Sequence, residues 1–258
     1  MRLSKLNRSV RGLNTLITGA GSGMGRATAH LFADEGTRVA VTDLNGDRVQ
    51  KVVTEILEAG GSARGWVLDL HDPAEIVKVV NAAAADLGGL DIIINNAGIP
   101  GMQLLDAPDY EEYWRSSLDI MLTAQMRVIR AALQYLRKSK SPRIVNISST
   151  EGLGATKFNS SYSVAKHGVV GLTRSLAVEL GREGITVNCI APGPINTAMT
   201  EVIPDNDKNI YAKRRTSMGR YGEPEEVAHA IMNFCLPSMT YVTGTVLLVD
   251  GGQMVKNG

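Results

Sequence analysis

Thr18-Gly19-Ala20-Gly21-Ser22-Gly23-Met24-Gly25 follows the apolar run Leu13–Thr18 and leads into the helical pattern Gly25–Glu35. Glycines in a turn between a strand and a helix let the backbone come close to a phosphate. The first turn of the helix then presents its free N–H groups and positive dipole end to that phosphate. The glycine spacing differs from the strict Gly-x-Gly-x-x-Gly fingerprint. The stretch predicts a pyrophosphate-binding turn, and a glycine-rich turn that binds nothing is the alternative.

Strand-like and helical patterns alternate along the rest of the chain. The predicted strands are Leu13–Thr18, Arg38–Asp43, Ala63–Asp69, Asp91–Asn95, Arg143–Ser148, Thr186–Ile190 and Thr245–Asp250. The predicted helices are Gly25–Glu35, Gly46–Ala59, Pro73–Leu87, Asp109–Leu136, Ser161–Gly181 and Pro224–Leu236. Continuous apolar runs such as Ile92-Ile93-Ile94 are typical of strands buried on both faces of a parallel sheet. The chain is therefore predicted to be α/β, a single-domain Rossmann-type doubly wound parallel sheet of about seven strands with helices on both faces.

One domain is expected over residues 1–258, because no linker or internal repeat divides the chain. The longest segment without clear periodicity is 196–221. A long loop that follows a strand commonly carries binding residues. We therefore expect 196–221 to be a substrate-binding lid loop within the domain.

Composition excludes several classes of function. The net charge of +1 and the absence of a long charge run give no support for nucleic-acid or membrane-surface binding. No apolar stretch is long enough to span a bilayer, and Met1–Asn14 lacks the continuous apolar core of a signal peptide. Cys189 and Cys235 are predicted to be free thiols, and the dispersed histidines predict no metal site. A cytoplasmic location is expected.

Asp43 ends the second predicted strand, twenty residues after Gly23. A carboxylate at this place accepts hydrogen bonds from the adenosine ribose hydroxyls of a dinucleotide and repels a 2′-phosphate. Ser22 is uncharged where a basic side chain would otherwise hold that phosphate. Both features favour NAD(H) over NADP(H), and Arg48 is the nearby residue that weakens the preference.

Tyr162 and Lys166 are four residues apart in a predicted helix, so their side chains share one face. An ammonium held near a phenol favours the phenolate and is expected to lower its pKa from about 10. Such a phenol can exchange a proton with an alcohol or a ketone. Ser149 adds a hydroxyl that could hold the same oxygen. A solvated helix face is the alternative for the tyrosine and lysine alone.

Taken together, these motifs resemble the classical short-chain dehydrogenase/reductase family. The matching residues are Thr18-Gly19 with Gly23-Met24-Gly25, Asn95-Asn96-Ala97-Gly98, Ser149, Tyr162 with Lys166, and Ala191-Pro192-Gly193. They occur in the family's order, and the resemblance covers almost the whole chain, from about Gly12 to Gly252. It implies catalysis by Ser149, Tyr162 and Lys166, with Ser149 chosen over Ser148 because the family serine lies thirteen residues before the tyrosine.

The resemblance also implies a set of cofactor-binding residues. Lys166 would bind the nicotinamide ribose and lower the pKa of Tyr162, and Asp69 with Leu70 would border the adenine. The full set is Gly19, Gly21, Ser22, Gly23, Met24, Gly25, Asp43, Leu44, Asp69, Leu70, Asn96, Ala97, Gly98, Tyr162, Lys166, Pro192, Gly193, Ile195 and Thr197. The chain departs from the family at Met121, where the family has an asparagine that helps to position a water near the lysine. A thioether is a weak hydrogen-bond acceptor, so this departure puts the proton relay in doubt.

The predicted function is hydride transfer between NAD(H) and a secondary alcohol/ketone pair. An NADPH-dependent 3-oxoacyl thioester (acyl-carrier-protein) reductase is the enzyme alternative, and a non-catalytic dinucleotide-sensing protein is the alternative of another class. Candidate substrate residues are Glu151, Met102 and Met199. The alternative for Glu151 is a surface ion pair with Lys157, and the alternative for the two methionines is that they only pack against neighbouring side chains. The resemblance implies a homotetramer or homodimer that packs through the helices predicted at Asp109–Leu136 and Ser161–Gly181.

Overall fold

The computed structural model describes residues 7–256, so the first six residues of the basic N-terminal segment and both ends of the predicted 1–258 domain lie outside the described residues. Seven strands form one parallel sheet in the order β3-β2-β1-β4-β5-β6-β7. The strands are β1 Asn14–Thr18, β2 Arg38–Asp43, β3 Ser62–Val67, β4 Ile92–Asn95, β5 Arg143–Ile147, β6 Thr186–Pro192 and β7 Val246–Val249. The predicted doubly wound parallel sheet is confirmed.

Helices cover both faces of this sheet. They are α1 Gly23–Asp34, α2 Gly46–Glu58, α3 Pro73–Leu87, α4 Tyr110–Leu118, α5 Ala124–Leu136, α6 Ser160–Leu180, α7 Asp205–Arg215 and α8 Pro224–Cys235. Ile92 and Ile94 of β4 pack with α1, α2 and α8, whereas Ile93 packs with α3, α5 and α6. Because each face has its own apolar core, the consecutive residues Ile92, Ile93 and Ile94 are all buried and apolar. None of the helices within 7–256 has the length and apolar character needed to cross a membrane.

Local signals in the sequence set several helix ends. The Asp72 side chain accepts hydrogen bonds from Ala74 N at 2.8 Å and Glu75 N at 3.2 Å, and Pro73 follows it, so α3 begins there. The same helix ends at Gly88, whose φ of +81° is a left-handed conformation that glycine adopts without strain. These signals place α3 where the sequence predicts it.

Strand β1 is the topological switch point of the sheet. It pairs in parallel with β2 on one side and with β4 on the other. Chain connections leave the carboxyl ends of β1 and β4 in opposite directions, which opens a crevice between them. The glycine-rich turn after β1 and the Asn96–Gly98 segment after β4 therefore meet at one edge of the sheet.

Two predicted segments differ from the structure. The helix predicted at Asp109–Leu136 is divided into α4 and α5 by a π-helical turn, Asp119–Thr123. The segment 196–221, predicted to be a loop, contains helix α7 and a 3₁₀ turn at Ala198–Thr200. Helix α7 has no apolar periodicity because Ala212 is its one buried residue, so the pattern that indicates an amphipathic helix is missing.

Candidate active site

A cleft of about 360 Å³ opens at the carboxyl ends of the strands, beside the switch point. Most of the predicted cofactor residues line it: Gly19, Ser22, Gly23, Met24, Asp43, Leu44, Asp69, Leu70, Asn96, Ala97, Gly98, Tyr162, Lys166 and Thr197, together with the substrate candidate Met199. Residues far apart in the sequence thus converge on one cavity.

The glycine-rich turn has the shape that a pyrophosphate requires. Gly19 has a φ of +63°, and a Cβ there would lie 2.8 Å from Ala97 Cα. A Cβ on Gly25 would lie 2.1 Å from the Gly19 carbonyl oxygen, so neither position accepts a side chain without a shift. Ser22 precedes α1 without a side-chain capping bond. The first-turn N–H groups are therefore available to phosphate oxygens, and the turn fits a dinucleotide.

Asp43 is fixed at the cleft by the backbone around it. Its Oδ2 accepts a hydrogen bond from Gly21 N at 3.0 Å, and its Oδ1 accepts one from Asn45 N at 3.0 Å. A Cβ on Gly21 would lie 2.9 Å from both the Asp43 Cγ and the Arg48 Cβ, so the carboxylate and Arg48 both pack closely against this glycine. Each carboxylate oxygen keeps acceptor capacity, which fits the hydroxyls of a ribose.

Lys166 is buried about one helical turn after Tyr162 on α6. Its Nζ donates a hydrogen bond to the Ile147 carbonyl at 2.9 Å and lies 5.5 Å from the centroid of the Tyr162 ring. Burial lowers the pKa of Lys166 to about 8 because desolvation disfavours the ammonium, although the nearby Cys189 opposes this. The ammonium is thus held at the end of β5, close to the base of the cleft.

The phenol of Tyr162 has a pKa that is raised to about 12. Burial is the largest cause, the nearby Ser149 hydroxyl opposes it, and the Glu151 carboxylate and the Tyr113 phenol add to it. The expected lowering of this pKa by Lys166 is therefore not found. Lys166 is not among the groups that shift the pKa of Tyr162, and burial lowers the pKa of Lys166 itself. Tyr162 is a protonated phenol at neutral pH in this structure.

The two serines after β5 have different partners. Ser148 is buried and donates a hydrogen bond from Oγ to the Lys166 carbonyl at 2.8 Å, so its hydroxyl ties β5 to the backbone of α6. Ser149 is less buried and accepts a hydrogen bond on Oγ from Glu151 N at 3.1 Å. Ser149 also lies close enough to Tyr162 to lower the pKa of the phenol, and Ser148 has no such effect. Ser148 lines the cleft and Ser149 does not, so the choice of Ser149 as the catalytic serine stays a prediction.

Met121 lies in the π-helical turn and is fully buried. A Cβ on Gly98 would lie 3.8 Å from Lys166 Nζ and 3.9 Å from Met121 Sδ, so the ammonium and the thioether are both close to Gly98. In the turn, Ala124 N donates to the Asp119 carbonyl, five residues back. A π turn shifts the ordinary pairing of the helix carbonyls, and such turns are frequent at functional sites.

Several predicted residues do not line the cleft. These are Gly21, Gly25, Ser149, Glu151, Met102, Pro192, Gly193 and Ile195. Met102 is 72% exposed on the loop after β4. Gly193 donates from N to the Val249 carbonyl at 3.0 Å, and a Cβ on Gly222 would lie 2.8 Å from Ile195 Cδ1. Gly193 therefore packs against β7, and Ile195 packs against the segment that follows α7.

Other residues line the cleft without having been predicted. They include Thr42, Leu68, His71, Ile99, Ile120, Ile147 and Ala198. His71 Nδ1 lies 3.2 Å from Asp119 Oδ2, which joins the loop after β3 to the π turn. No sequence motif marks these side chains, because their position depends on how separate loops meet at the sheet edge. Among residues 7–256, no group of three or more His, Cys, Asp or Glu side chains is arranged to hold a metal.

Comparisons with known proteins agree with this geometry. A family model described as enoyl-(acyl carrier protein) reductase matches residues 19–254. The 3-oxoacyl-(acyl-carrier-protein) reductase FabG of Thermotoga maritima is 37% identical over 240 residues, which are 93% of this chain and 97% of that protein. The (2S)-((R)-hydroxy(phenyl)methyl)succinyl-CoA dehydrogenase subunit BbsD of Thauera aromatica is 37% identical over 243 residues, 94% of this chain and 97% of that protein.

A solved structure from Beutenbergia cavernae is also similar. That protein is provisionally assigned as an NAD(P)-dependent gluconate 5-dehydrogenase and carries NADP at low occupancy. It superposes with a TM-score of 0.90 at 34% identity and covers 97% of this chain and 100% of its own. The similarity therefore extends over the sheet, the glycine-rich turn and helix α6 together.

Proposed function

Because this chain is an oxidoreductase of the short-chain dehydrogenase/reductase family, we propose that it transfers hydride between NAD(H) and a 3-hydroxyacyl/3-oxoacyl thioester pair. The observation that carries the proposal is the placement of Tyr162 and Lys166 in a cleft whose other end has the glycine-rich turn. One cavity then holds both a dinucleotide and the group that exchanges a proton with the substrate.

The chain's own residues divide the chemistry between them. A nicotinamide dinucleotide, when bound, supplies or accepts the hydride. Tyr162, a protonated phenol at neutral pH, donates its proton to the ketone oxygen during reduction. The hydroxyl of Ser149 donates a hydrogen bond to the same oxygen and stabilises the negative charge that develops there. Lys166, fixed by the Ile147 carbonyl, provides positive charge below the phenol and replenishes its proton.

The thioester class rests on two relatives of this chain. One is named as a 3-oxoacyl-(acyl-carrier-protein) reductase and the other as a dehydrogenase of a hydroxyacyl-CoA. In both, the carbonyl or hydroxyl group lies on an acyl chain that is held as a thioester. The segment 196–221 is the proposed lid over this substrate, since Thr197 and Met199 from its first turn line the cleft.

The preference for NAD(H) rests on Asp43. Its carboxylate is held at the cleft by Gly21 N and Asn45 N, where it accepts ribose hydroxyls and repels a 2′-phosphate. The structural neighbour with bound NADP shows that the fold accepts the phosphorylated dinucleotide elsewhere in the family. Asp43 is the residue by which this chain is proposed to differ.

Turnover measurements test the proposal. Acetoacetyl-CoA with NADH, 3-hydroxybutyryl-CoA with NAD+, and a panel of thioester-free secondary alcohols would be followed by absorbance at 340 nm. We expect thioester turnover with NADH in the wild type and a loss of about 100-fold or more in Tyr162→Phe, since the phenyl ring cannot exchange a proton. Turnover of the thioester-free alcohols alone would contradict the substrate class.

Binding measurements separate two further outcomes. Fluorescence of bound NADH reports cofactor binding in the absence of turnover. NADH binding by a wild type that turns over none of these compounds would favour a non-catalytic dinucleotide-binding protein. Turnover of the thioester with NADPH at higher kcat/KM than with NADH would contradict the cofactor preference and favour an NADPH-dependent reductase.

A further inference from the structure

The carboxylate of Glu151 joins the turn that carries Ser149 to the helix that carries Tyr162. Its Oε2 accepts a hydrogen bond from Ser163 Oγ at 2.9 Å, and Ser163 is the residue after Tyr162 on α6. The same oxygen accepts one from Thr156 N at 2.8 Å, and Oε1 accepts one from Thr156 Oγ1 at 2.6 Å. One side chain thus links the segment after β5, the following loop and the first turn of α6.

The backbone of Glu151 orients the Ser149 hydroxyl. Glu151 N donates to Ser149 Oγ at 3.1 Å within the 3₁₀ turn Thr150–Gly152. Because an acceptor bond from the backbone occupies one lone pair of Ser149 Oγ, the hydroxyl hydrogen remains free to point to another oxygen. Movement of the Glu151 side chain would therefore also move the N–H that fixes Ser149.

Lys157 does not neutralise this carboxylate. Its Nζ lies 4.5 Å from the centroid of the Phe158 ring, and the Glu151 oxygens are occupied by the hydrogen bonds of Thr156 and Ser163. The groups that shift the pKa of the Tyr162 phenol are Ser149, Glu151 and Tyr113, and the Lys166 Nζ lies 5.5 Å from the centroid of the ring. The negative charge of Glu151 favours the protonated phenol, which is the form that donates to a ketone.

We propose that Glu151 is a positioning residue for hydride transfer, which holds Ser149 and Tyr162 in register through Thr156 and Ser163 and does not contact the substrate. The proposal rests on the proposed function of Tyr162 and Ser149. It differs from the expectation that Glu151 binds the substrate, since both carboxylate oxygens have partners within the protein and Glu151 does not line the cleft.

Two substitutions separate the position of Glu151 from its charge. Glu151→Ala removes the contacts to Thr156 and Ser163. Glu151→Gln retains them, since the amide oxygen can accept from Thr156 N and Ser163 Oγ while the amide nitrogen donates to Thr156 Oγ1. Glu58→Gln is the matched control, because Glu58 is an exposed carboxylate at the end of α2.

Steady-state kinetics give the first test. We expect Glu151→Ala to lower kcat roughly 10- to 100-fold with little change in KM, because small misplacements of reacting groups have effects of this size. Glu151→Gln should recover most of this kcat, and Ser163→Ala should reproduce part of the loss. A rise in KM at unchanged kcat would show a substrate contact, and rates equal to those of Glu58→Gln would show no role. Either result overturns the proposal.

Titration of Tyr162 gives a second test that needs no turnover. Tyrosine carrying ¹³C at Cζ would be followed by NMR, with the Tyr162 signal assigned from its absence in Tyr162→Phe. We expect Tyr162 to ionise at lower pH in Glu151→Gln than in the wild type, and its signal to shift in Glu151→Ala. An unchanged titration and an unchanged signal would contradict the proposal. If the two variants show these changes but the wild type turns over no alcohol or ketone, the proposed function is contradicted. The role of Glu151 in positioning Tyr162 would then still stand.

Discussion

At the scale of single residues, burial controls the proton chemistry of this site. It raises the pKa of Tyr162 to about 12 and lowers the pKa of Lys166 to about 8. The sequence predicts that these two residues share a helix face, because their spacing of four fixes that geometry. The burial of Lys166 and the partial burial of Tyr162 are not visible in the sequence, since Gly101, which packs against Tyr162, comes from the distant loop after β4.

The raised pKa of Tyr162 predicts opposite pH dependences for the two directions of the reaction. Reduction needs the protonated phenol, which is fully present well below pH 12. Oxidation needs the phenolate, whose fraction grows with pH below that value, so we expect kcat/KM for oxidation to rise between about pH 7 and pH 9.5. Initial rates in both directions on one enzyme preparation measure this. An oxidation rate that stays constant over this range would contradict the assignment.

Asp43 is predicted to select the cofactor. Asp43→Ser removes the charge that repels a 2′-phosphate and leaves Arg48 at the same place, so kcat/KM for NADPH should rise about tenfold and that for NADH should fall. Asp47→Asn is the control, because Asp47 lies nearby at the start of α2 and is exposed. Comparable changes in the two variants would indicate a general effect of charge and would remove the specific role of Asp43.

At the scale of elements, helix α6 is held against β5 by close backbone contact. Gly152 lies in the 3₁₀ turn between them, and a Cβ there would lie 2.2 Å from Ser148 Oγ and 2.7 Å from the Lys166 carbonyl. Turns and caps of this kind are partly predictable from glycine positions. The π turn Asp119–Thr123 cannot be predicted in this way. Its residues have the composition of an ordinary helix, and only packing selects the wider turn.

Gly152→Ala is therefore expected to displace α6 and lower both stability and activity. Overlap with backbone atoms cannot be relieved by a rotamer change, so we expect a loss of about 1–3 kcal/mol in the free energy of unfolding. Gly181→Ala serves as the control, since a Cβ there meets no atom within 4 Å. Urea unfolding measures both variants. Equal stabilities for Gly152→Ala and the control would refute the contact.

At the scale of the whole molecule, the alternation of strands and helices was sufficient to predict a doubly wound parallel sheet of about seven strands. The resemblance implied that Asn96, Ala97 and Gly98 line the cofactor cleft, and they do line the cleft into which the glycine-rich turn opens. Helix α7 was missed because its exposed, charged surface has no apolar period. Cleft residues such as His71 and Ile120 were missed because loop conformation, which local sequence does not fix, brings them together.

Self-association is predicted at the same scale. Helix α6 exposes Val164 at 45% and Val178 at 84%, and α5 exposes Met126 at 36%. Apolar side chains in such positions are stabilised by burial against a second copy. We expect sedimentation velocity to show a dimer or tetramer, and Val178→Arg to shift it towards monomer more than Val77→Arg on α3 does. A monomer at all concentrations would contradict the prediction.

The most direct test of the central claim is to follow a deuterium label from the cofactor to the product. Acetoacetyl-CoA would be incubated with NADH that carries deuterium on the transferred position, and the product analysed by mass spectrometry. We predict that the wild type places one deuterium on the carbon that bears the new hydroxyl, and that Tyr162→Phe forms this product far more slowly. Product without deuterium, or equal rates in the two proteins, would contradict hydride transfer assisted by Tyr162.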